Sequence, residues 1–304
     1  MNRERLNIWL LAVLACFLWS TAFAGIKIAL RYSTPLMLGG IRFFLAGILL
    51  IPFSGRLRDY GRNIKKYYRI ILKISVFQTF IAYGFFMIGI SIVPAYIGAI
   101  VVGSSPLITA VGSHFLLKND KINVRKLAAV FAGIAGIVLI AVSRNPVTKT
   151  GQKELIGIGI LFCGLLASAM GNISVYKDKG EINPVFLNSV QIGIGGVLLL
   201  LLSVPFKQFK PINLTLEFIA ALLWLSFLSA AAFSIWFYLL KVKGTKVSEL
   251  NLWKFIVPVS GAVLSWIILP GENPDIFSIA GMIIVALSII FYFFGRPVQE
   301  NTDG

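Results

Sequence analysis

A chain of 304 residues that is 58% hydrophobic and 13% charged, with mean hydropathy +0.87, has too little polar surface to coat a water-soluble globule. A net charge of +16 would suit nucleic acid on a soluble protein, but these basic residues sit in short gaps between apolar runs, where they orient a membrane protein instead. One histidine and two cysteines, Cys16 and Cys163, both inside apolar runs, exclude a His-pair centre and indicate neither a disulfide framework nor a metal cluster; no cofactor is expected.

Crossing a bilayer as a helix takes about 17 to 25 apolar residues. Ten runs qualify, near 7–30, 35–53, 70–90, 94–117, 127–143, 155–176, 184–205, 214–240, 247–269 and 276–295. The expected fold is all-α and integral to the membrane. Alternate gaps differ in charge: one set holds eighteen lysines and arginines, including Arg56 to Arg69, Lys118 to Lys126 and Lys241 to Lys246, whereas the other holds six. The richer side is expected to be cytoplasmic, with both chain ends inside. Arg3, Arg5 and Ala22-Phe23-Ala24 imitate a cleavable signal peptide; removal would leave nine helices, so the first run is read as a retained span.

Shifting the fourth run by 152 positions places Pro106 on Pro258, Ala110 on Ala262, Val111 on Val263, Ser113 on Ser265 and Leu117 on Leu269, with Asp120 opposite Glu272. Two five-helix halves follow, 1–147 and 148–297, with a short tail at 298–304. Five is odd, so the second half must enter the membrane from the opposite side. The charges agree, because the gap after the fourth run is basic and its counterpart after the ninth, with Glu272 and Asp275, is not. Inverted repeats are an architecture of alternating-access transporters, with the site near the midplane.

Leu18-Trp19-Ser20-Thr21-Ala22-Phe23 in the first helix, Pro35 and Arg42 in the second, Pro106 in the fourth, and Pro258, Leu269-Pro270-Gly271-Glu272 and Gly281 in the last two resemble the EamA-type drug/metabolite transporter superfamily. The likeness covers nearly the whole chain. Two departures stand out: Asn119-Asp120 replaces the family's usual Gly-Glu, and Gln191 occupies the position equivalent to Arg42. The resemblance implies a ten-helix permease of the bacterial inner membrane that exports amino acids or other small metabolites. It also implies a cavity lined by helices 1, 3, 4, 6, 8 and 9.

Charges inside spans are costly, about 2.5 to 3.5 kcal/mol on insertion scales, and each needs a reason. Lys254 lies one turn before Pro258, which removes a backbone donor; a cation beside a perturbed helix can receive a carboxylate or phosphate. The alternatives are snorkelling or a pair with Glu249. Arg42 fits a structural role, bonding helix-end carbonyls or snorkelling. His114 is a gating candidate, although a lone histidine is more often a hydrogen-bonded packing residue.

Trp19, Ser20, Gln78, Tyr83, Asn172, Trp236, Tyr238 and Trp253 are the polar and aromatic cavity candidates, since amides in hydrocarbon need partners or a cavity. Asn188 and Gln191 fit interhelical bonding, and Ala129, Ala132, Gly133 and Gly136 fit close helix packing. Pro106 and Pro258 are the hinge candidates. The twelve acidic residues fall in gaps or at span ends, which favours facilitated or exchange transport over proton antiport. The partners expected are a small-molecule substrate and lipid, not nucleic acid; oligomeric state is open. Export of hydrophobic cations would want a buried anion, and a membrane enzyme would need a convergent acid/base set; neither is present. No GxxxxGK[ST] loop marks an ATP-driven protein.

Overall fold

Helices are the only regular elements among the described residues of the computed structural model, which are 3–93, 101–144, 152–178, 182–268 and 275–294. Helices are named α1 to α10 in chain order, one label covering a helix interrupted by a π or 3-10 turn. They are α1 (Arg3–Ala29), α2 (Pro35–Leu50) and α3, which runs Leu57–Ile74, passes through a π segment at Ser75–Ile81 and ends as Ala82–Ile92. Then come α4 (Ser105–Leu116), α5 (Val124–Arg144), α6 (Gln152–Lys177), α7 (Pro184–Ser203) and α8 (Leu216–Lys241). The last two are α9, built as Val247–Leu252, a 3-10 turn Trp253–Phe255 and Ile256–Ile268, and α10 (Ile276–Phe294). Glu272 and the tail 298–304 lie outside the described residues.

Six of these helices are long and apolar enough to cross a bilayer: Pro35–Phe53, Leu57–Ile92, Leu155–Lys177, Pro184–Ser203, Leu216–Lys241 and Ile276–Phe293. Leu6–Ala22 and Val101–Leu116 are shorter apolar helices. The distribution of polarity decides the environment. Phe115, Leu216 and Ile267 stand exposed, while Arg42, Gln78, Asn172, Asn188, Gln191 and Asn251 are buried. A protein surrounded by water does the reverse, so this surface faces lipid.

The expected third span starts at 70, yet α3 begins at Leu57. Apolar run-length alone misses this stretch because Arg58, Arg62, Lys65, Lys66 and Arg69 occupy one of its faces. Tyr60, Ile64 and Tyr67, three or four residues apart, turn toward the core on the other.

Packing follows a regular plan. α2 lies on α7, α5 on α10, α1 on α8 and α3 on α6, with further contacts of α1 with α9, α4 with α6 and α4 with α9. Exchanging each helix for the one five places away turns α1–α8 into α6–α3 and α1–α9 into α6–α4, and returns α2–α7, α5–α10 and α4–α9 to themselves. The α2–α7 contact repeats this in atomic detail. A Cβ on Gly47 would lie 2.8 Å from the Ser189 carbonyl oxygen, and one on Gly196 would lie 2.8 Å from the Gly40 oxygen. Counted from Pro35 and Pro184, positions 40 and 189 are equivalent, as are 47 and 196. Gly136 likewise brings α5 against the Gly281 oxygen of α10, at 2.6 Å from its added Cβ, the close packing expected of small residues at this spacing.

Candidate functional site

The helices meet around one aromatic cluster. Trp19 of α1 contacts Trp236 and Phe233 of α8, with ring centroids 5.0 and 5.5 Å apart. Phe233 continues to Tyr83 of α3 at 5.9 Å, and Tyr83 to Phe43 of α2 at 4.6 Å. Phe43 and Phe233 went unnamed in the sequence reading because a phenylalanine in an apolar run carries no polar signal.

A cation stands at each end of this cluster. The Lys254 ammonium lies 4.9 Å from the Trp236 ring and 5.7 Å from that of Trp19. The Arg42 guanidinium lies 4.3 Å from the Phe43 ring and 5.6 Å from Tyr83. Neither makes an ion pair among the described residues. Glu249, the alternative partner of Lys254, pairs instead with Lys246 at 3.4 Å. Arg42 is 3% exposed, so it does not snorkel, and its Nε and Nη1 are buried without hydrogen-bond partners, as are the indole nitrogens of Trp19 and Trp236. Indole, guanidinium and ammonium are donors only; the site is rich in donors that lack acceptors.

Several helices are irregular. Lys254 sits in the 3-10 turn of α9, with Pro258 following in the resumed helix. Pro106 opens α4 just after a turn at Ser104. Gln78 lies in the π segment of α3, against Gly171 of α6, whose added Cβ would lie 2.3 Å from the Gln78 oxygen. Asn172, next to Gly171, is fully buried with both amide atoms unpartnered. π and mid-helix 3-10 turns often mark functional sites or hinges, because they break the regular hydrogen-bond ladder.

The other sequence candidates are placed elsewhere or spoken for. The Ser20 hydroxyl donates to the Phe17 oxygen in its own helix at 2.6 Å. Trp253 stacks on Phe293 at 5.0 Å and meets Trp9 at 5.9 Å, away from the cluster that its neighbour Lys254 joins. Tyr238 is corrected: it is 52% exposed and borders a surface recess with Asn183 and Lys241. Two residues on a helix differ by about 200° in direction, so the burial of Trp236 turns Tyr238 outward. Tyr238→Ala is therefore expected to change thermal stability by less than about 0.5 kcal/mol and to leave transport unaltered. Trp236→Ala, by contrast, is expected to cost about 3–5 kcal/mol, read by thermal unfolding in detergent. His114 accepts from the Ile122 N–H through Nδ1 at 3.2 Å, and its carbonyl accepts from Lys121 Nζ at 2.7 Å; it fastens the α4–α5 turn.

Asn188 and Gln191 are interhelical links, as their chemistry suggests. Thr79 of α3 donates to Gln191 Oε1 at 2.8 Å, Gln191 donates to Asn188 Oδ1 at 3.0 Å, and Asn188 donates to Ser234 Oγ at 2.9 Å. This chain joins α3, α7 and α8 with its members satisfied, whereas Arg42, at the position equivalent to Gln191, is left with unused donors.

One ionic element was hidden in a gap. Asp120, 1% exposed, accepts from Lys126 Nζ at 2.7 Å and from the Ser248 backbone N–H at 2.8 Å, and also from the Ser248 hydroxyl. It thereby ties the α4–α5 turn to the first turn of α9, where the helix has unpaired N–H groups. Burial alone would push the Asp120 carboxyl up, but the hydrogen bonds from Lys126 and Ser248 override it and hold the group below the usual carboxylate range. Sequence reading places Asp120 and Lys126 in a gap between spans; both are buried. On the same basic side Lys241 pairs with Asp178 and donates to the Ile182 oxygen.

Among the described residues this largely buried centre shows two cations without a carboxylate partner and indole and guanidinium donors without acceptors. The profile of the EamA-like transporter family matches this chain twice, over residues 6–142 and 153–294. The chain belongs to the EamA-like transporter family. Among similar proteins, the uncharacterized transporter YvbV of Bacillus subtilis is 26% identical, over 92% of this chain and 89% of its own length. An uncharacterized transporter of Archaeoglobus fulgidus is 26% identical over 92% and 95%, and a WAT1-related chloroplastic protein of Arabidopsis thaliana is 27% identical over 92% and 68%. A solved crystal structure that is 14% identical overlays with a TM-score of 0.78, covering 97% of this chain and 98% of that one, and so shares its fold. This EamA-like protein is a multi-pass membrane protein of transporter type, and its family and relatives point to transport, not to an enzyme.

Proposed function

We propose that the protein exports small metabolites bearing a carboxylate or similar anionic group, amino acids among them, across the bacterial inner membrane by alternating access. Ten spans form two inverted five-helix repeats, 1–147 and 148–297, with the basic side and both chain ends in the cytoplasm. The packing pairs that exchange under a five-helix step, the matched Gly47 and Gly196 contacts, and the charge difference between alternate gaps support this architecture. α4 and α9, interrupted near Pro106 and Pro258, are the moving elements.

The observation that carries the reading is the Lys254 ammonium, held over Trp19 and Trp236 with no carboxylate partner, in an interrupted helix inside an apolar protein. A half-buried cation there, with no acid facing it among the described residues, can take its counter-charge from a bound anion. Hydrophobic cations, the competing substrate class, would meet Lys254 and Arg42 and no acid. In proteoliposome counterflow over amino acids, organic acids, nucleosides and organic cations, carboxylated substrates are expected to exchange. Lys254→Ala should then weaken the best of them about 10- to 100-fold, the worth of one charged hydrogen bond. Unchanged affinity in that variant overturns the assignment.

A further inference from the structure

We propose that the substrate is a net-negative organic anion with an apolar, preferably aromatic, body that lies along the Trp19–Phe233–Tyr83 cluster between Lys254 and Arg42, both cations belonging to its site. This rests on the transport reading above and narrows it from carboxylate-bearing metabolites in general to those without a compensating ammonium.

Three observations support it. First, Arg42 and Lys254 contact the two ends of one continuous set of rings: Lys254 to Trp236, Trp236 to Trp19, Trp19 to Phe233, Phe233 to Tyr83 and Tyr83 to Arg42. They reach it from opposite sides of the chain's packing plan. Arg42 lies seven residues into α2 from Pro35 and Lys254 seven residues into α9 from Val247, each about 10 Å deep at 1.5 Å per residue.

Second, the indole and guanidinium donors at the cluster cannot satisfy one another. Arg42 Nε and Nη1 and the Trp19 and Trp236 indole nitrogens are buried without acceptors, and none of these side chains can accept. An incoming carboxylate, phosphonate or sulfonate offers several acceptor lone pairs, and its apolar body replaces nothing that needs water. Gln191, at the equivalent position in the second half, has its partners within the protein; Arg42 has not.

Third, a substrate ammonium would find no unpaired carboxylate among the residues that pair in the structure, Asp120, Asp178 and Glu249. The buried carboxylates among the described residues, Asp120 and Asp178, are already paired with Lys126 and Lys241 in the gaps. Lys254 and Arg42 already lie over four of the rings that would attract a cation. A zwitterion would bring a third positive charge to a site holding two. Export of a net anion also runs with an inside-negative potential and needs no proton-carrying acid in the spans.

A matched series with one body and three charges tests this: 3-phenylpropionate, phenylalanine and phenethylamine, titrated at pH 7 into the purified full-length protein in detergent. The expected order is the anion tightest, the zwitterion at least tenfold weaker and the cation without saturable binding. Arg42→Gln should reduce the anion-to-zwitterion affinity ratio at least fivefold and Arg42→Lys should largely restore it. A ratio is unaffected by the fraction of protein that folds, so a purely structural Arg42 would leave it unmoved. Phenylalanine binding as tightly as 3-phenylpropionate, no saturable binding of the anion, or a ratio unchanged in Arg42→Gln would each overturn the proposal. Those results leave the carboxylate assignment standing, since that falls only if Lys254→Ala leaves carboxylate affinity unaltered.

Discussion

Asp120→Asn is expected to lower the unfolding free energy by about 3–5 kcal/mol, because it strands a buried lysine without its counter-charge. Lys126 is 2% exposed, and apart from Asp120 its ammonium is bonded to the Lys121 oxygen at 2.9 Å. The variant keeps one acceptor for Ser248 but removes the charge that Lys126 faces. The double variant Asp120→Asn/Lys126→Met should recover most of the loss, since replacing a whole buried pair by apolar volume is often neutral. Thermal unfolding in detergent reads both; a double variant no more stable than the single would show that the pair is not the source of the loss.

The pH dependence has a definite sign. The folded state holds the Asp120 carboxyl below its usual range, so folding favours the ionised form. Its contribution is complete above the unfolded value near about 3.9 and is lost as the pH falls through the lower folded value. The stability gap between the native protein and Asp120→Asn should therefore be constant around neutrality and close in strong acid.

Gly196→Val should be the more damaging change to assembly. A Cβ at position 196 would lie 2.4 Å from the Phe44 backbone nitrogen and 2.8 Å from the Gly40 oxygen. Backbone cannot swing aside as a flexible side chain can, so α2 and α7 must separate along their length. Overpacking in a close-packed interior costs about 1–3 kcal/mol where side chains yield, and this contact lies at or above the top of that range. Gly159→Ala is the control, since nothing lies within 4 Å of its added Cβ. Size-exclusion elution and thermal unfolding should show loss of monodisperse protein for Gly196→Val and none for Gly159→Ala.

Several residues of the candidate site can be named from the sequence. Lys254, Trp19, Tyr83, Asn172 and Trp236 stand out because a polar or charged group in hydrocarbon is costly enough to need a reason. Of the two prolines singled out, Pro106 opens α4 after the turn at Ser104, and Pro258 follows the 3-10 turn at Trp253–Phe255. Other choices were closed to sequence. Trp236 and Tyr238 carry the same kind of signal, and only packing against α1 sets which of them faces inward. Sequence gives Arg42 a structural role, and its ring neighbours are visible only in the structure. Asp120 and Lys126 fall in a gap, and their burial involves Ser248, more than a hundred residues away.

Sequence by itself determined the solvent, the helical class and the family, because these follow from the abundance and run-length of apolar residues, the basic gaps and the ordered motifs. Tertiary structure alone decided which donors are left unsatisfied, which cations share one aromatic cluster and which gap charges are buried. Those properties depend on distances between helices remote in the chain, and no local pattern of residues encodes a distance of that kind.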